Sequence, residues 1–339
     1  MHALIRSAAR LAALACVSLA LSAAAGGDEP QPALPAPSAP ALPEVLVTGE
    51  QPGPGMWRVS NGEHELWILG TLDPLPKKMT WHSRQADAAI AHSQELLSPP
   101  AVSVSVGFFK GLTALPTLLR ARKNPDGRTL KDVLPADAYA RWSALKARFM
   151  AADDDVERLR PSIAAHELYK RALDRSGLTD GDGVWSLVEK AARQHHVPVT
   201  AVTVGLALDD PKGTIRQLEQ IPRDADVNCL VSTIGHLEAD LGPMRERASL
   251  WSLGDVDGLR RMAYRDQRAA CFDAINSVPE LRVRVQQLRD ELVERWMSAA
   301  AHALATNDST FAVLPMSQMF EPEGWVTRLR ARGYQVDEP

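Results

Sequence analysis

Of the residues able to ligate a metal, His195-His196 is the most conspicuous pair. Adjacent side chains on a helix point about 100° apart, so the two rings do not easily face one ion. The spacing better suits a cationic ring at a helix C-terminus. His236 follows Cys229 by seven residues, which on a helix is the same face. Zinc needs more ligands than these two and none stands at a fitting interval, so core packing is the expected role. Asp153-Asp154-Asp155, beside Glu157, lacks the ligand spacing of a calcium loop; it is expected to neutralise the N-terminus of the next helix. Gly107, Gly111 and Gly127 do not space as a phosphate loop, and no GxSxG elbow occurs.

The frame for these residues begins with an export leader. Arg6 and Arg10 precede an apolar run from Leu11 to Leu21 and the small residues Ala23-Ala24-Ala25, so residues 1–25 read as a secretory signal peptide. A spanning helix needs about 20 apolar residues, and this run is shorter. The mature protein is therefore expected in the periplasm, with no stable membrane insertion once the signal is removed. Cys16 is poorly placed for lipidation, because only Leu11 to Ala15 of the apolar run precede it. Residues 26–55, rich in Pro and Ala, read as an extended tether, and residues 56–339 as the folded domain.

The whole chain carries 38 Lys and Arg against 42 Asp and Glu; loss of Arg6 and Arg10 takes the net charge from −4 to −6. Nucleic acids and anionic membranes reward concentrated basic residues, and this overall balance argues against both. Cys229 and Cys271 are the cysteines left after export. They form either a disulfide or two buried thiols on neighbouring helices.

Two strand-like runs, 56–60 and 63–70, flank Asn61-Gly62 and predict an opening hairpin with a two-residue turn. A helix is expected over roughly 81–92. A further strand-like run at 95–106 is interrupted by Pro99-Pro100, which confines it to an edge or splits it. Apolar periodicity predicts helices over 135–150, 160–173, 183–195, 224–250 and 279–305, with a strand at 197–204. A strand at 310–314, a helix at 323–332 ended by Gly333, and a strand at 334–336 close the chain. Strands scattered among more numerous helices indicate a mixed α/β domain. Most of the eight tryptophans belong in a core; Trp81 and Trp296 are the ones to watch.

Five pieces in order carry a family resemblance: LWILGT (Leu66 to Thr71), VPVTAVTV (Val197 to Val204) after a helix, Trp251-Ser252-Leu253-Gly254-Asp255, Glu294-Arg295 on a long helix, and EGWVTRLRARGYQV (Glu323 to Val336). Together they resemble the TraB/GumN family, which includes the Tiki-like metalloproteases. The resemblance implies a mixed sheet core built from two pseudo-repeated halves, each with strand-turn-helix elements, packed with many helices. It also implies two GxxH motifs bringing histidines to a shared Mn, Co or Zn centre, with nearby carboxylates and a glutamate as base.

The sequence departs from that pattern at every station. Gly70-Thr71-Leu72-Asp73 has Asp73 where histidine is expected, and Pro315-Met316-Ser317-Gln318 has Gln318 for histidine and Pro315 for glycine. The two expected glutamates align with Pro99 and Thr203, and the Arg-Asn pair of the long helix reads Arg295-Trp296. What remains, Asp73, Gln318, Glu321 and Arg295, offers hard oxygens and a guanidinium. No cofactor is expected, beyond a weakly held divalent ion such as Mg or Ca between Asp73 and Gln318. The chain thus reads as a catalytically inactive binding or scaffold module, a pseudoenzyme of the cell envelope whose partner is an envelope protein or peptide. The alternative is a peptidase-like hydrolase with an altered site centred on Asp73 as acid/base and Arg295 as anion clamp.

Overall fold

The computed structural model describes residues 53–79, 83–151, 153–181, 183–262 and 269–339. The leader, most of the tether and Trp81 lie outside the described residues. Glu50–Pro339 form one compact unit.

Large apolar residues in MWRVS and ELWILGT produce strands β1 (Met56–Ser60) and β2 (Glu65–Thr71), paired antiparallel from Met56↔Leu69 to Ser60↔Glu65. The loop between them has four residues, 61–64, instead of the expected two. Asn61 accounts for the difference. Its side-chain oxygen accepts the His64 N–H at 3.1 Å and its amide donates to the Leu304 carbonyl at 2.6 Å, while Gly62 takes the positive φ of 106°.

The remaining strands are β3 (Leu75–Pro76), β4 (Glu95–Leu97), β5 (Ala101–Ser105), β6 (Leu178–Thr179), β7 (Val199–Thr200), β8 (Thr203–Ala207), β9 (Ser309–Pro315) and β10 (Gln335–Asp337). The main sheet has the order β10-β1-β2-β9-β4-β7. β1 is antiparallel to both its neighbours, whereas β2, β9, β4 and β7 run parallel. The central β2–β9 ladder holds register from Glu65↔Ser309 to Thr71↔Pro315. β9 is buried along its five central residues and β2 at Leu66 and Ile68 to Gly70, as parallel strands covered on two faces require. The mixed α/β class is as expected; this strand order does not establish the two pseudo-repeated halves.

Pro99-Pro100 splits the 95–106 run. β4 stays in the main sheet, while β5 pairs with β8 in a separate two-stranded ribbon. The neighbouring 197–204 segment, expected as one strand, breaks at the same level into β7 and β8. Two prolines supply no N–H to the ladder, and Ser98 compensates: its hydroxyl accepts the Val202 N–H at 2.8 Å while its own N–H reaches the Thr200 carbonyl at 3.0 Å.

Helices fall near the expected positions: Arg84–His92, Ala136–Phe149, Pro161–Arg175, Gly183–Gln194, Arg223–Ser252, Pro279–Thr306 and Trp325–Ala331. The first is capped by Ser83, whose hydroxyl accepts the Ala86 N–H at 3.1 Å. His195, past the end of its helix, is in hydrogen-bonding reach of Asp87 at 3.3 Å, so its role is not confined to the helix dipole. The acidic run is occupied too, Asp153 by Arg171 at 2.7 Å and Asp154 by Lys146 at 2.9 Å.

Two buried clusters result. One surrounds the main sheet; the other is helical, built around Trp142, Leu168, Leu230 and Ile234. The 30-residue helix Arg223–Ser252, about 45 Å long at 1.5 Å per residue, joins them: Val227 to Met244 belong to the helical cluster, Ala248 and Trp251 to the sheet cluster. Ion pairs are enclosed within the helical part. Arg160 meets Asp226 at 3.0 Å, and Asp240 meets Arg247 at 2.6 Å and His236 at 3.2 Å. His236 is thus a core residue with an ionic partner.

Cys229 and Cys271 are joined in a disulfide across a sequence separation of 42, linking this long helix to helix Ala269–Asn276. Closing a loop of that length restricts the unfolded chain by about 4 kcal/mol in the chain-entropy account. A Cys229→Ser/Cys271→Ser protein should therefore unfold at lower urea concentration, with a stability loss of about 2–4 kcal/mol. Reductant should shift the parent to the same midpoint and leave the variant unmoved.

Candidate functional site at the C-terminal edge of the parallel strands

The strand register gathers the chemically interesting positions. Thr71 pairs with Pro315, Leu97 with Ala312, and Leu97 again with Thr200. Asp73, Gln318, Pro99 and Thr203 each follow the C-terminal end of one of these four parallel strands. Open α/β sheets build their ligand crevices at this end.

The side chains found there are occupied in packing and internal hydrogen bonds. Asp73 opens the loop after β2, and its Oδ1 accepts the Gly181 N–H at 3.4 Å. Gln318 sits in the short helix Met316–Met319, which starts directly after Pro315 at the end of β9. Its Oε1 accepts the indole N–H of Trp325 at 2.9 Å. A Cβ on Gly324 would overlap the carbonyl oxygen of Gln318, so this segment folds back more tightly than any side chain at 324 allows.

Indoles fill the interior. Trp251 donates to the Gly70 carbonyl at 2.8 Å, binding the last turn of the 30-residue helix to the end of β2. A Cβ on Gly70 would stand 2.6 Å from Met316 Cγ and 2.8 Å from the Trp57 ring. Trp296 is fully buried, with its ring centroid 4.9 Å from that of Trp325 in an edge-on arrangement, and Trp57 meets Phe320 similarly at 6.2 Å. Among the described residues, the buried Nε1 atoms of Trp57 and Trp296 have no hydrogen-bond partner.

Arg295 faces away from this edge. It pairs with Glu291 at 3.3 Å and borders a shallow surface cleft with Glu291, Glu294, Ser298, Ala299 and His302, all on the one helix Pro279–Thr306. Neither Asp73 nor Gln318 lines that cleft. Glu321 is held by Arg289 at 3.1 Å. The structure therefore brings Asp73 and Gln318 to one sheet edge and leaves Arg295 and Glu321 in exposed ion pairs.

Among the described residues, no group of three or more His, Cys, Asp or Glu is placed to hold a metal ion. Of the family-equivalent positions at the sheet edge, Asp73 offers one carboxylate and Gln318 an amide oxygen already taken by an indole. That set does not fit a resident Mn, Co or Zn ion, which needs imidazoles or several carboxylates. Nor, among the described residues, is any helix long and apolar enough to cross a membrane. Sequence reasoning missed the Trp325–Gln318 hydrogen bond and the constraint at Gly324; only the glycine next to Trp325 hinted at a tight turn.

The TraB/PrgY/gumN family model matches residues 55–338. No match was found among curated proteins or among solved structures.

Removing the Trp296 side chain should cost about 3–5 kcal/mol, the range for a large aromatic deleted from a packed core. Gly324→Ala should cost at least about 2 kcal/mol through overpacking. Urea unfolding followed by tryptophan fluorescence measures both losses, and an unchanged midpoint for Gly324→Ala would show that the 318–324 turn is looser than described.

Proposed function

Because the chain belongs to the TraB/PrgY/gumN family, we propose that it is an exported member without metalloprotease chemistry, kept as a binding or scaffold module in the cell envelope. One observation carries this reading. The positions where the resemblance calls for metal ligands and a base hold Asp73, Pro99, Thr203 and Gln318, at a sheet edge filled by Trp57, Trp251, Trp296 and Trp325. A metal-activated water needs an open coordination position and a base within hydrogen-bond reach of it. An amide tied to an indole supplies neither.

Export is supported by the leader-like residues 1–25 and by the Cys229–Cys271 disulfide, since such bonds persist in oxidising compartments. With the sheet edge filled, recognition falls to the outer surface of the domain and proceeds without turnover. The partner is taken to be an envelope protein or an extended peptide.

Incubation of the purified chain with a panel of fluorogenic peptides, with Mn²⁺ or Co²⁺ and with chelator, tests the reading. The expected result is no cleavage that depends on metal, and the same outcome for Asp73→Ala. Cleavage abolished by chelator and restored by Mn²⁺ or Co²⁺ would overturn the proposal. A metal-independent rate lost in Asp73→Ala would replace it with the altered hydrolase. A resident ion at 100 times its Kd would stabilise the fold by about 2.7 kcal/mol, so thermal unfolding should be indifferent to either metal.

A further inference from the structure

The apolar periodicity of residues 108–121 points the wrong way for a core helix. Phe108, Phe109, Leu112, Leu115 and Leu119 recur at intervals that place them on one face of helix Phe108–Ala121, and that face is turned to solvent. Phe108 and Phe109 are 77% and 78% exposed and Leu112 is 59% exposed, whereas Ala114 is the one buried residue of the helix. A surface helix ordinarily turns such a stripe inward. The preceding ribbon continues the surface: every residue of β5 is exposed, with Val102 and Val104 on one of its faces. Monomeric proteins rarely leave a contiguous apolar patch of this kind uncovered.

Charge indicates what covers it. Residues 108–123 contain Lys110, Arg120, Arg122 and Lys123 and no acidic residue, in a chain that is acidic overall. Lys110 is paired with Asp209 and Arg122 with Glu167, each at 3.3 Å. No ion pair among the described residues engages Arg120 or Lys123, at the C-terminal end of the stripe. A second copy joined by a two-fold axis would set this stripe against itself, and the stripe carries no acidic group to receive those cations. With 14 residues the helix is too short to span a bilayer, which takes about 20, but suits a position in the plane of one leaflet.

We propose that helix Phe108–Ala121, with the β5 edge beside it, is a peripheral docking surface for an anionic lipid membrane. The two phenylalanines and the leucine stripe enter the headgroup boundary while Arg120 and Lys123 contact lipid phosphates. The net negative charge of the chain does not oppose this, because screening within about 10 Å leaves only the local charge to act. The docking is independent of whether the sheet edge is catalytic.

The test is co-sedimentation of the chain from residue 26 onward with lipid vesicles, which keeps the Glu50–Pro339 unit whole and removes the apolar run of residues 11–21. The parent should bind phosphatidylcholine vesicles containing about a third phosphatidylglycerol, and Arg120→Gln/Lys123→Gln should weaken binding by about 30-fold. Phe108→Ser/Phe109→Ser should abolish binding while leaving the unfolding midpoint unchanged, since both rings are exposed. Absence of vesicle binding by the parent, or binding unaltered by loss of the two phenylalanines, would overturn the proposal. So would a parent that does not bind vesicles but sediments as a dimer dissociated by the phenylalanine substitutions, which would assign the face to a second copy.

Discussion

The fold depends on one pairing, the parallel ladder between β2 and β9. These strands come from opposite ends of the chain, yet all seven residues of each are in register. The ladder sets the level at which every other strand ends. β4 joins β9, β7 joins β4, and β1 joins β2, so an error of one residue between β2 and β9 would reverse the facing of side chains in β9, β4 and β7 relative to β10, β1 and β2. It also brings the loop after β2 beside the loop after β9. Asp73 and Gln318, remote in sequence, thus follow the ends of two directly paired strands at one edge of the sheet.

The indoles around that edge tie its loops to the rest of the fold. Here the Gly70 carbonyl is tied to the long helix by Trp251, and Gln318 is tied to the last helix by Trp325. Each is a buried or half-buried hydrogen bond between elements distant in sequence or separated by a turn. The close approach of Trp57 and Met316 to Gly70 leaves no space for a Cβ. Close packing and a few directed hydrogen bonds thus do the fastening, at the expense of two indole N–H groups, on Trp57 and Trp296, that find no partner among the described residues.

Much of the architecture was legible in the sequence, and the failures have identifiable causes. The opening hairpin, the split at Pro99-Pro100 and the long helices follow from alternation, missing amide donors and helical spacing. The turn at Asn61 was misjudged because its length was set by a contact to Leu304, on an element far along the chain. The break between β7 and β8 answers a proline pair in the adjacent strand, which periodicity within 197–204 does not register. At the site, the reading of Trp296 as an indole filling space agrees with its burial against Trp325, whereas the outward facing of Arg295 was not legible. Adjacent helical residues differ by about 100° in direction, and only packing decides which of them enters the core. The stripe at 108–119 is the converse case, since a helix with an apolar face has the same spacing whether that face meets the interior or something outside the molecule.

The disulfide has a consequence for the order in which the molecule can be completed. Cys229 and Cys271 both precede β9, the strand without which the main sheet lacks its centre. The helical cluster around Trp142 and Leu230 draws all its buried members from residues 130–244, so it too is available before β9 is. The disulfide therefore closes a portion of the chain whose contacts are mostly local, whereas β9 is held between β2 and β4 by pairings of long sequence separation. In the sheet β9 occupies the place between β2 and β4, so a late stretch of the polypeptide is the keystone that leaves neither strand an open edge there.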